Sequence, residues 1–224
     1  MLSVPDEAAV ARALAAHRWV EYPPLPGRTN HRRAGVLVPL RWRATVAAIE
    51  VLVTERAAHL SHHGGEYSFP GGKPEASDAS IEATALREAR EEIGLGGARV
   101  LGRLSSLPLY TSDYRLEPFV AAVPTEVALV PNPGEVASIA TLDVGELFDR
   151  SAWPGIPYKR QSETRLSPVF ELAPGRWREG VVYGGTAHAL HELLGVLAPL
   201  FGTSVPPIVE ADFGWDDVLP GERG

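Results

Sequence analysis

The stretch from Phe69 to Leu95 constrains the fold more than any other part of the chain. Phe69-Pro70-Gly71-Gly72 makes a glycine-rich turn, and residues 78–93 then read as a helix. Asp78 or Ser80 can cap its start, and Gly94 allows a left-handed cap at its end. Two apolar, partly β-branched runs come before the turn, at 34–40 (AGVLVPL) and 45–54 (TVAAIEVLVT), and they predict strands. Further strand-like runs lie at 98–108, 114–123 and 135–142. Short helices are expected at 5–18 and 143–149, a late hairpin from 165–172 and 177–183, and an apolar helix over 186–200. The expected fold class is α/β, a layered domain with a mixed sheet.

The chain divides into an N-terminal helix and loop (1–31), a main domain (32–202) and an acidic C-terminal tail (203–224). The tail is expected to be loosely ordered, with Phe213 and Trp215 able to dock. With 224 residues, 45% hydrophobic and 22% charged, the chain can bury a sizeable core. There is no cysteine, which excludes disulfides and thiolate metal sites. No apolar run reaches the ~18–20 residues that cross a bilayer. The N-terminus lacks the pattern of a secretory signal, so a cytoplasmic protein with no membrane partner is expected. The net charge of −7 argues against a nucleic-acid partner. That charge is uneven: residues 203–224 hold five acids and one base, and residues 72–95 hold six acids and three bases. The remainder is neutral.

Within the helix, REAREEIGL places Glu88, Glu91 and Glu92 at i, i+3 and i+4, on one face. Three like charges so close repel by ~0.2–0.5 kcal/mol per pair even when exposed. They also stand near the helix C-terminus, where the macrodipole disfavours anions. Such a cluster is either a solvated acidic face or a ligand set for a hard divalent cation such as Mg²⁺ or Mn²⁺. The glycine turn upstream favours the second reading, since glycine backbone can approach a phosphate or lend a carbonyl to a metal.

Residues Gly72 to Leu95 resemble the Nudix box, G-x5-E-x7-R-E-U-x-E-E-x-G-U. Arg87, Glu88, Glu91, Glu92, Gly94 and Leu95 match in order. Ala89 stands at the first aliphatic position, and Gly72 to Arg87 is one residue longer than the pattern. Asp78 is the acid nearest to the first glutamate position. This variant resembles the coenzyme A pyrophosphatase-like branch of the family. The resemblance rests on FPGG-Lys73-Pro74-Glu75-Ala76-Ser77-Asp78 and on Thr84-Ala85-Leu86-Arg87-Glu88. It also rests on the upstream Leu52-Val53-Thr54-Glu55-Arg56 and Gly65. Ser61 stands where that branch carries a second arginine.

The resemblance implies a Nudix-type α/β/α sandwich over residues 32–202. It implies a metal-dependent hydrolase that splits coenzyme A or acyl-coenzyme A into 3′,5′-ADP and (acyl-)4′-phosphopantetheine. Other readings remain: ADP-ribose, dinucleotides or oxidised nucleoside triphosphates as substrates, or a nucleotide-binding module that does not cleave. The implied metal ligands for Mg²⁺ or Mn²⁺ are Glu88 and Glu92, with Glu91 as a third and the Gly72 carbonyl beside them. Glu91 or Glu135 is the base, and Arg87 orients a glutamate. Arg56, Lys73, His63 and Arg33 are candidates for the phosphate-bearing substrate, each against the alternative of a solvated surface charge. A small-molecule nucleotide is the expected partner, and a homodimer is compatible with the sequence without being specified by it.

Overall fold

The structure, a computed structural model, describes residues 4–43, 48–160, 163–173 and 175–219. The start of the expected second strand (45–47) and the end of the tail (220–224) lie outside the described residues.

The chain opens with helix α1 (Glu7–Ala16), capped by Asp6, whose carboxylate accepts the Ala9 N–H at 2.7 Å. Strands β1 (Arg32–Arg43) and β2 (Ala48–Arg56) follow, then two-residue strands β3 (Tyr67–Ser68) and β4 (Gly71–Gly72), then helix α2 (Ile81–Ile93). The expected strand at 98–108 is two pieces, β5 (Arg99–Arg103) and β6 (Leu107–Pro108). Next come β7 (Tyr114–Ala122), β8 (Val136–Asp143) and α3 (Val144–Phe148). The C-terminal third contains β9 (Trp153–Arg160), β10 (Glu163–Pro168), β11 (Phe170–Glu171), β12 (Val181–Val182), α4 (Gly184–Leu197), β13 (Ile208–Glu210) and α5 (Trp215–Val218).

The main sheet is mixed. β1 and β7 run parallel in register from Arg32↔Tyr114 to Leu40↔Ala122, and the other pairings are antiparallel. β1 and β2 pair only where Leu40–Arg43 meets Ala48–Val51. Beyond that they part, and the FPGG segment fills the opening. β3 pairs with β2 through Thr54↔Ser68, and β4 pairs with β1 through Val36↔Gly71. The turn expected from the sequence is therefore built into the sheet, beneath α2.

Alternation along the strands sorts the core into two layers. Leu37, Leu52, Phe119 and Ala121 face Ala85, Ala89 and Ile93 of α2. Val36, Val38, Leu40, Val51, Val53 and Val120 face the other way, onto Val10 and Leu14 of α1 and Leu190, Leu193, Leu194 and Leu197 of α4. This is an α/β/α sandwich, as the sequence implies.

The C-terminal region departs from expectation. The expected late hairpin is reduced to Phe170–Glu171 against Val181–Val182. The longer hairpin is β9 with β10, from Arg160↔Glu163 to Gly155↔Pro168. Pro154 and Pro157 conceal β9 in the sequence, since proline cannot donate to a ladder. The tail, expected to be loose, is docked. β13 runs parallel to β9, Phe213 is buried and stacks on Trp177 with ring centroids 4.7 Å apart, and the Trp215 indole donates to the Pro157 carbonyl at 3.1 Å. A three-residue strand is too short to show a period, so only the aromatics hinted at this. Among the described residues no helix is long and apolar enough to cross a membrane.

Candidate functional site

Helix α2 carries the carboxylates, and its ends are held by local chemistry. Ser80 rather than Asp78 is the N-cap, accepting the Ala83 N–H at 3.1 Å. Gly94 closes the helix at φ 68°, a left-handed value that favours glycine. Ala85, Ala89 and Ile93 bury one side of the helix. Glu88 and Glu92, one turn apart, stand beside that apolar stripe and are drawn inward with it. Glu92 is only 4% exposed, whereas the Glu91 side chain is about half exposed.

Burial without a full set of partners has an electrostatic consequence. Glu92 is pushed up to about 8, first by desolvation, then by the charges of Glu88 and Glu135, with Arg56 and the Gly71 N–H opposing. Glu88 is also raised, by burial and by Glu91 and Glu135, although Arg87 pulls the other way. The glycine turn makes room for this pair. A Cβ added to Gly72 would sit 2.4 Å from Glu88 Oε1, so Gly72 is the residue that lets the carboxylate rest on the backbone.

Arg87 organises the outer side. Its Nη1 donates to Glu91 Oε2 at 2.8 Å, and its Nη2 donates to Glu88 Oε1 and the Lys73 carbonyl, both at 3.0 Å. Its Nε donates to Asp78 Oδ1 at 3.0 Å. Asp78 in turn accepts from the Glu75 N–H and the Thr84 hydroxyl, both at 2.9 Å. The Arg87 guanidinium holds the Asp78 carboxyl well below the usual range. The loop before the helix is thereby fastened to the face that presents Glu88 and Glu91. The sequence considered Asp78 as a cap or as the acid nearest to the first glutamate position; no periodicity reveals a partner nine residues away.

Glu135 joins the cluster from outside the helix. It is exposed, and its loop is pinned where the Asn132 N–H donates to the Glu92 carbonyl at 2.7 Å and the Ala57 N–H donates to the Glu135 carbonyl at 2.8 Å. Arg56, at the end of β2, acts electrostatically on Glu92, and its Nε is buried with no hydrogen-bond partner among the described residues. Lys73 places its ammonium 5.4 Å from the Tyr114 ring centroid. His63, with φ 60°, faces Glu66 at 2.9 Å, and that bond raises its pKa. Arg33 is not brought to this group. Its guanidinium is held by the buried Glu117 and by Glu21.

Among the described residues no three Asp, Glu or His side chains already stand as a metal cage. The donor set nevertheless fits a hard cation such as Mg²⁺, which takes one or two protein carboxylates and completes its shell with water and substrate phosphates. Two carboxylates close enough for Glu88 to raise Glu92, with glycine backbone at hand, supply that minimum.

Residues 30–161 match the family description NUDIX domain. The chain belongs to the Nudix family. It is similar to an uncharacterized Nudix hydrolase, NudL, of Photorhabdus laumondii, with 33% identity over 179 residues, 78% of this chain and 90% of that relative. A NudL of Yersinia pestis is 36% identical over 134 residues, 59% of this chain and 65% of the relative, so the match spans just under two thirds of that protein. A solved MutT/nudix family protein from Enterococcus faecalis shares the fold, with a TM-score of 0.50 at 12% identity, covering 87% of this chain and 70% of the other. The protein is therefore a Nudix hydrolase, acting on phosphorus anhydrides, and Nudix hydrolases work with divalent metal ions. In this Nudix box the extra residue between Gly72 and Arg87 lies in the segment that lets Asp78 fold back onto Arg87.

Proposed function

We propose that this Nudix hydrolase cleaves the diphosphate of coenzyme A or an acyl-coenzyme A, with Mg²⁺ or Mn²⁺, giving 3′,5′-ADP and (acyl-)4′-phosphopantetheine. The observation that carries the reading is Arg56. It ends the run that resembles the coenzyme A branch's upstream signature, and it stands beside Glu92 with a buried, unpaired Nε. A guanidinium donor kept free in a carboxylate-lined site suits a phosphate oxygen. Lys73, whose ammonium stands 5.4 Å from the Tyr114 ring centroid, adds positive charge for the remaining phosphates, and His63, held by Glu66, is a second candidate donor. We place the enzyme in the cytoplasm, with no nucleic-acid partner, because a chain of net charge −7 repels a polyanion.

The reaction adds a water oxygen to one phosphorus while the bridging P–O bond breaks and the second phosphate leaves with its electrons. Glu88 and Glu92 are the carboxylates that would hold the metal, with Glu91 and the Gly72 carbonyl in reserve. When bound, it would supply charge neutralisation to the diphosphate reaction. Arg87 positions Glu88 and Glu91 rather than touching substrate. Glu135 is the better base: it is exposed, its charge reaches both Glu88 and Glu92, and it has no ion pair among the described residues. Glu91 is committed to Arg87. A proton passing to Glu135 completes the step.

The test is a panel of coenzyme A, acetyl-coenzyme A, ADP-ribose and a dinucleoside polyphosphate with Mg²⁺ or Mn²⁺, the products separated by chromatography. Release of 3′,5′-ADP from coenzyme A is the expected result. ADP-ribose cleaved with coenzyme A untouched overturns the substrate assignment; Ser61, in place of the branch's second arginine, is the feature that would then explain it.

A further inference from the structure

The loop that carries Glu135 is fastened at both ends to elements that carry other charged groups of the site. Upstream it lies on the C-terminus of α2, where a helix's last carbonyls lack partners within the helix. The Val130 N–H donates to the Ile93 carbonyl at 2.9 Å, and the Asn132 N–H donates to the Glu92 carbonyl at 2.7 Å. Downstream, β8 pairs with β2 through an irregular step. Ser138 faces Glu55, Val136 faces Arg56, and Ala137 is the extra residue between them. A bulge of this kind re-aims the chain beside it. Just beyond Arg56, the Ala57 N–H donates to the Glu135 carbonyl at 2.8 Å. Glu135 thus stands between the helix of Glu92 and the strand of Arg56, tied to each by backbone hydrogen bonds.

Between the two fastenings the chain must turn, and Asn132 makes the turn with both of its oxygens. Its backbone carbonyl accepts from the Glu135 N–H at 2.9 Å and from the Val136 N–H at 2.8 Å. Its side-chain Oδ1 accepts from the Gly134 N–H at 3.1 Å. The second arrangement is an Asx turn, in which a short polar side chain stands in for backbone. Pro133, next in the chain, fixes φ there. Asn132 is exposed, so core packing does not account for it.

We propose that Asn132 is a positioning residue for the hydrolysis: its side chain shapes the turn that sets Glu135 at its distance from Glu88 and Glu92. Asn132 acts through Glu135 and touches neither substrate nor metal. The assignment rests on the reading of Glu135 as the base. An exposed base without an ion pair is placed by its backbone, and a small misplacement of a reacting group is costly in rate.

The test is steady-state kinetics of the full chain with Mg²⁺, on coenzyme A or whichever member of the substrate panel is cleaved. The variants are Asn132→Ala, Asn132→Asp, Glu135→Gln and the double variant of Asn132→Ala with Glu135→Gln. Asn132→Ala should lower kcat about tenfold and leave KM within about twofold, as for loss of an outer partner in a site. Asn132→Asp keeps the acceptor oxygen and should recover most of that loss. In the Glu135→Gln background, Asn132→Ala should cost less than about twofold, because two residues that act through one another are not additive. Thermal midpoints report the folding of each variant. An unchanged kcat in Asn132→Ala, no recovery in Asn132→Asp, or the same loss in both backgrounds overturns the proposal; the last outcome with a lowered midpoint makes Asn132 a stability residue only. Glu135→Gln turning over near the parent's rate overturns the base assignment instead, and the role of Asn132 falls with it.

Discussion

Two buried glutamates on the same face of one sheet meet opposite fates. Glu117, on β7, is fully buried and surrounded by donors: Arg33, Arg103 at 2.6 Å and the Ser106 hydroxyl at 2.8 Å. Arg115 stands behind, bonded to Ser106 at 2.7 Å and to Glu21 at 2.7 Å. Glu92, on α2, is almost as buried, but its neighbours are two more acids and one arginine. Glu117 has been neutralised by the fold. Glu92 has been left for something from outside. Local electrostatic strain that the chain does not relieve is a mark of function, whereas a closed network is a mark of architecture.

Glu92→Gln puts this contrast under the heaviest load. Turnover should fall by more than ~100-fold, because the proposed metal ligand is lost. Stability in the absence of metal should not fall, because burial and the charge of Glu88 already disfavour the ionised form of Glu92 and the amide takes the place of its neutral carboxyl. Added Mg²⁺ should raise the thermal midpoint of the parent and leave that of the variant nearly unchanged. Turnover near the parent's would remove Glu92 from the metal site.

Glu117→Gln should do the reverse. Two arginines lose their charged partner, and stability should drop by about 2 kcal/mol in urea denaturation. Turnover per folded molecule should stay within about twofold, a margin far below the ~100-fold effect of losing a ligand. A large loss of turnover at full stability would mean that the Glu117 cluster, including Arg33, belongs to the catalytic centre after all.

Asp78→Asn tests the link between the two kinds of site, since Asp78 is a structural partner for a functional arginine. Arg87 keeps Glu88 and Glu91 but loses its tether to the loop. Turnover should fall about tenfold, the usual cost of removing an outer partner of a ligand. The loss should appear in kcat more than in KM, and Asp78→Glu should restore little because its longer side chain cannot keep the Thr84 and Glu75 bonds. An unchanged kcat would make the tether dispensable.

The contrast also explains what could be read from the sequence. Helix α2, its two end caps and its carboxylate face follow from spacing within sixteen residues, where local rules hold. Arg87 bonding a glutamate is equally local. The Glu117 cluster collects side chains from positions 21, 33, 103, 106 and 115, and only the folded sheet makes them neighbours. The same holds for FPGG, readable as a turn but not as the filling between two parted strands. The tail's acids were counted correctly as charge, yet Asp216 and Asp217 take fixed places on α5 only because Phe213 and Trp215 find distant partners in Trp177 and the Pro157 carbonyl.

The smallest effect separates burial from charge altogether. His191 on α4 is a half-buried ionisable group with neither the partners of Glu117 nor the rival charges of Glu92, and desolvation alone lowers its pKa below 6.5. The folded state therefore binds this proton less readily than the unfolded chain. The stability that comes from keeping the ring neutral is present above pH 6.5 and is lost as pH falls through the lowered folded value. Replacing His191 with Gln should flatten that part of the pH–stability curve, measured by urea midpoints between pH 7.5 and about 5. The slope at Glu92→Gln should keep the His191 component, because the two groups lie on opposite layers of the sheet and share no partner. A curve that stays equally steep in His191→Gln would assign the acid sensitivity to another group and leave desolvation at His191 without a measurable consequence.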